Sequence, residues 1–116
     1  DLIRQDNKVT IYSDFIDGFC DGLGIDSESL RNRINEVADK VNKLGILENN
    51  TPTSVVAGCI YYVVIENALS LKIAEIAAKC GVSPPTITKV CNKLFKRAGE
   101  LAAPQTVNSY GDGVYR

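Results

Sequence analysis

Apolar residues recur at helical spacing along most of this chain, and five helices follow from the pattern. Ile11, Phe15, Ile16, Phe19 and Cys20 share one face of a segment from about Thr10 to Leu23, with aspartates on the other face. Gly22 and Gly24 mark its end. A second helix opens at Asp26, where Ile25 and Leu30 are spaced as a hydrophobic staple. Its stripe is Leu30, Ile34, Val37, Val41 and Leu44, and Gly45 closes it. The third segment differs in kind. Thr51 is placed to cap it, Pro52 suits the first turn, and Val55 to Ile65 is apolar on nearly every side. A helix of that kind must be surrounded by others. Small residues at Ala57, Gly58 and Cys59 let those neighbours come close.

Lys72 to Ala98 then read as helix, tight turn, helix. Ile73, Ile76, Ala77 and Cys80 fall on one face, and Gly81 supplies the left-handed stop. Ser83 stands at the next N-cap, its hydroxyl expected to accept a backbone N–H, with Pro84 and Pro85 in the first turn. Ile87, Val90, Cys91 and Leu94 face inward. This is the layout of a helix-turn-helix reader of the major groove. The candidate DNA-binding residues are Ser83, Pro85, Thr86, Thr88, Lys89, Asn92, Lys93 and Lys96. Short polar side chains near the helix start suit base edges, and cations further along suit phosphates. Two amphipathic helices joined by a glycine turn also occur in domains that never touch nucleic acid.

Charge sharpens the picture. The 116 residues carry a net charge of −1, so the chain is no polycation built for strong non-specific DNA binding. Between Lys72 and Arg97, however, six basic residues stand against Glu75 alone. Asp14, Asp17, Asp21, Asp26 and Glu28 make the first third acidic. A local basic face on an acidic body fits a module brought to DNA with help from a partner.

The four cysteines have no C-x-x-C spacing and there is no histidine, which argues against zinc. They read as small reduced hydrophobes, hence an intracellular protein. No cofactor is expected. Without histidine, a glycine-rich phosphate loop or a cysteine beside a base, the chain is not expected to be an enzyme. No segment resembles a signal peptide, and Val55 to Ile65 is too short to span a bilayer, so no membrane is involved.

Three blocks carry a more specific likeness: DFIDGFCDGLGI at 14–25, TPTSVVAGCIYYV at 51–63 and IAEIAAKCGVSPPTITKVCNKL at 73–94. In this order and spacing, from about Thr10 to Pro104, the chain resembles the second cyclin-like repeat of the general transcription factor IIB family, as a divergent member. The resemblance implies an all-α, five-helix cyclin-like (cyclin-box) domain with a C-terminal helix-turn-helix. Residues 1–9 would lead in from a preceding repeat, 10–103 would form the repeat with its helix-turn-helix at 72–98, and 104–116 would be a tail.

The implied partners are promoter DNA, the TATA-binding protein and, through the rest of a longer parent protein, RNA polymerase. The domain itself would be monomeric. Its place would be the nucleus, or the cytoplasm for an archaeal or cytoplasmic viral parent. The family's eukaryotic upstream-element readers are a small apolar residue just before a Thr-Ile pair and an arginine just after it. Around Thr86 and Ile87 this chain has Pro85 and Thr88 instead, so the strongest partner for a guanine edge is missing. The alternative function is a cyclin-type protein-interaction module without DNA contact.

Overall fold

The computed structural model describes the backbone of residues 2–101 and the side chains of residues 12–101; the expected tail at 104–116 lies outside the described residues. Six helices and no strand are found among the described residues: α1 (Leu2–Leu23), α2 (Glu28–Leu44), α3 (Pro52–Glu66), α4 (Ile73–Cys80), α5 (Pro84–Lys96) and α6 (Ala98–Leu101). The domain is all-α, as expected of a cyclin-like bundle.

The organising element is α3. Thr51 caps it, its Oγ1 accepting from the Ser54 N–H at 3.3 Å while its hydroxyl donates to Ser54 Oγ at 2.9 Å. That second bond satisfies Ser54, a buried polar side chain that would otherwise be costly. Val55 to Ile60 and Tyr62 to Val64 are all buried, because α1, α2, α4 and α5 each pack on this helix. The most extensive of these contacts is with α5. It forms at Gly58, where an added Cβ would lie 2.7 Å from Val90 Cβ. Only the absence of a side chain lets the two helices approach so closely.

Helix ends follow backbone hydrogen bonding. Gly24, Gly45 and Gly81 all adopt positive φ, and the amides of Gly45 and Gly81 bond back to Val41 and Ala77. Beyond α3 the left-handed position falls to Ala68 (φ 54°), with Leu69 N–H on the Val64 carbonyl at 2.9 Å. A β-carbon there costs about 1 kcal/mol that glycine would avoid. Two arginines on α2 reach across the bundle. Arg33 grips Glu66 with paired bonds of 2.9 and 2.8 Å, tying α2 to the end of α3. Arg31 joins the Asp21 carboxylate (2.6 Å) to the Ile25 carbonyl (2.8 Å) and closes the α1–α2 corner.

Four details depart from the periodicity. α1 begins at Leu2, eight residues before the apolar pattern becomes readable. Residues 2–9 contain no glycine or proline, so nothing in them interrupts a helix. Ile11, expected inward, has a side chain outside the described residues. α2 opens at Glu28, not Asp26, because Ser27 takes the cap and accepts the Leu30 N–H (3.4 Å). Leu44 is 36% exposed at the end of its stripe. Finally, α6 adds a short turn beyond the five expected helices and buries Leu101 against the bundle.

All four cysteines are free and buried. Burial pushes the Cys20 and Cys91 thiols up to about 11 and Cys80 to about 12, and Cys59 is pushed up as well. They remain protonated at neutral pH. Folded protein should therefore resist Ellman's reagent at pH 8, and all four thiols should react once denaturant is added. Rapid labelling of the native chain would contradict this burial. The sign of the pH effect follows. Folded-state values lie above the ordinary 9.0, so the stability from protonated thiols is intact below that pH. It declines as pH rises through about 11 to 12.

Candidate nucleic-acid interface

The helix-turn-helix is built by local bonding and seated by α3. At the start of α4, Glu75 Oε1 accepts from the Lys72 N–H at 3.1 Å. At its end, the amides of Gly81 and Val82 both reach the Ala77 carbonyl, at 2.9 and 3.2 Å. Val82 tucks into the core, which anchors the turn between the helices. Ser83 then leaves the turn in extended geometry and stands at the N-cap of α5.

Its hydroxyl does not cap the backbone as expected. It pairs with the Thr86 hydroxyl at 2.9 Å. Pro84 and Pro85 have no N–H to offer, and the Ile87 N–H already bonds the Ser83 carbonyl (3.1 Å). The Thr86 N–H takes no side-chain cap bond, and the two hydroxyls pair with each other instead.

Ile87, Val90, Cys91 and Leu94 are buried and fix which way α5 faces. At 100° per residue the candidates from Pro85 to Lys96 span an arc of about 160° on the opposite side. Pro85, Thr88, Lys89, Asn92, Lys93 and Lys96 are exposed there, as is Ser83 in front of the helix; Thr86 is half-buried at the edge. The fold thus gathers all eight residues onto one surface. Lys89, Lys93 and Lys96 form no ion pair among the described residues. The acidic α1, with Asp14, Asp17 and Asp21, does not touch α5 among the described residues, so its carboxylates do not neutralise these lysines directly. The result is a solvated, cationic helix face on a rigid seat.

Three neighbours complete the surface and were not among the candidates. Ile46 and Arg97 join Lys93 and Lys96 around a shallow cleft of about 280 Å³. Arg97 is half-spent, its Nε bound to Glu100 at 2.7 Å. Phe95 is 42% exposed, its ring 4.8 Å from that of Tyr62. At helical spacing it lies at the edge of the buried face of α5, and its ring packs there against Tyr62. Among the described residues no group of three or more His, Cys, Asp or Glu could hold a metal ion, and no helix is long and apolar enough to cross a membrane.

Comparison with known proteins adds one match. The family model described as "Transcription factor TFIIB repeat" matches residues 5–97, which takes in most of α1, all of α2 to α5 and the whole lysine face. Neither curated proteins nor solved structures give a significant match.

Proposed function

This chain belongs to the transcription factor TFIIB repeat family, and from that membership we propose that it is the second repeat of a IIB-like initiation factor, which binds the TATA-binding protein on promoter DNA. Domains of this family are not enzymes. In this reading the outward face of α5 meets DNA upstream of the TATA element, and the parent protein carries RNA polymerase to the complex. The observation that supports it is the set of three lysines, without ion pairs among the described residues, on the outward face of the second helix of a helix-turn-helix.

The division of labour follows from chemistry. Lys89, Lys93 and Lys96 are donors only and suit phosphate oxygens, which position a protein without reading sequence. Thr86 and Thr88 reach base edges with one hydroxyl each, and their methyl groups suit the thymine methyl. Three or so phosphate contacts hold a domain weakly. A second surface on the TATA-binding protein would supply the remaining affinity.

A cyclin-type interaction module without DNA contact is the second reading, favoured by exposed Phe95 and Ile65. A gel-shift experiment separates the two. The chain is added to a TATA-containing duplex already bound by TATA-binding protein, unaltered or with Lys89→Glu and Lys93→Glu together. The expected result is a supershift whose affinity drops at least about tenfold in the double variant. The salt dependence should also fall, by about 0.9 in logarithmic slope for each lost phosphate contact. A supershift indifferent to both changes would remove DNA from the role of α5. No supershift at all would favour the protein-interaction reading.

A further inference from the structure

Asn92 occupies a distinctive place on the α5 surface. With the buried residues Ile87, Val90, Cys91 and Leu94 defining one direction, Pro85, Lys89, Asn92 and Lys96 lie within about 30° of its opposite. Thr86, Thr88 and Lys93 flank this central line. A helix entering a major groove by its N-terminal end turns this line to the groove floor. Short side chains of its first two turns on either side also reach base edges, while long lysines extend from the line to the phosphate walls. Along that line Pro85 has no side-chain polar atom, and the two lysines can only donate. Asn92 alone can donate and accept at once.

Its amide is also available. Asn35 and Asn67, on or beside other helices, fold their Nδ2 back onto carbonyls four residues earlier, at 2.9 and 3.0 Å. Asn92 is exposed and makes no side-chain hydrogen bond among the described residues. The terminal amide of asparagine matches adenine, accepting from N6–H and donating to N7, whereas guanine offers two acceptors at those positions. Arginine, the residue that would favour guanine, does not occur anywhere on the arc from Pro85 to Lys96.

We infer that Asn92 makes the domain select an A·T pair at one position upstream of the TATA element. This rests on the DNA-contact reading above, and the experiment is arranged so that the two can fail separately. Duplexes carrying a TATA element and a randomised upstream flank are bound by the TATA-binding protein and the full chain, and the retained DNA is sequenced. Adenine should be enriched at one fixed upstream position, with about tenfold weaker binding of single-site duplexes carrying any other pair there.

Asn92→Ala should abolish that preference and leave the lysine-dependent salt slope in place. Asn92→Asp, an acceptor only, should move the preference toward cytosine. Upstream binding that depends on Lys89 and Lys93 but shows no preference changed by either variant would overturn the inference and leave the DNA contact standing. Loss of all upstream binding with the unaltered chain would overturn both.

Discussion

Alanine at position 58 is expected to lower the unfolding free energy by about 3 kcal/mol, near the top of the usual range for over-packing. Helix propensity alone argues the other way, since Gly→Ala in a helix interior gains up to about 1 kcal/mol. The sign is therefore the test. A Cβ at Gly58 would meet Val90 Cβ at 2.7 Å and the Cys91 nitrogen at 3.6 Å. Neither contact ends in a flexible side chain. Nor can α3 slide away, because four helices enclose it. Urea denaturation of Gly58→Ala gives the size of the loss. Adding Val90→Gly removes the obstructing side chain, and the double-mutant cycle should return an interaction of about 1–2 kcal/mol. A Gly58→Ala chain more stable than the parent would mean that the helices do not approach so closely.

The second large effect is Ile87→Ala, with an expected loss of about 3 kcal/mol from removed burial and the cavity left behind. Ile87 is fully buried in the first turns of α5, directly beneath the outward face. Its neighbour Thr88 points outward, and Thr88→Ala should stay within about 0.5 kcal/mol. Equilibrium unfolding of the pair checks the orientation of the whole helix through two adjacent residues. Equal losses at both positions would mean that α5 is rotated from the position described.

Much of this fold can be read in the sequence because its signals are local. The stripe of α2 as far as Val41, the apolar circumference of α3, the Thr51-Pro52 start and the stop at Gly81 each depend on neighbours within a few residues, and the structure agrees with them. The face of α5 is equally legible, since four buried positions determine where the exposed ones point.

Contacts distant in sequence are a different matter. Nothing near Gly58 announces Val90, and nothing near Arg33 announces Glu66, thirty-three positions away. Ser83 shows a subtler limit. Its type and place are right for a cap, yet Pro85 offers no amide at one of the two positions a cap serves, and the Thr86 hydroxyl pairs with it instead. The ring contact between Phe95 and Tyr62, a residue of another helix, is likewise not announced by the residues near either one.

Those prolines have an effect on how α5 can hold an anion. A helix commonly grips phosphate through the bare amides of its first turn, aided by the positive end of its dipole. In α5 two of the three bare amides of the first turn do not exist, which leaves that of Thr86 alone. The leading tip is thus a poor socket for a charged oxygen. Attraction is displaced along the rod to Lys89, Lys93 and Lys96, spread over two turns. A ligand with a single phosphate finds little purchase on such a helix, whereas a long polyanion can engage all three cations in succession.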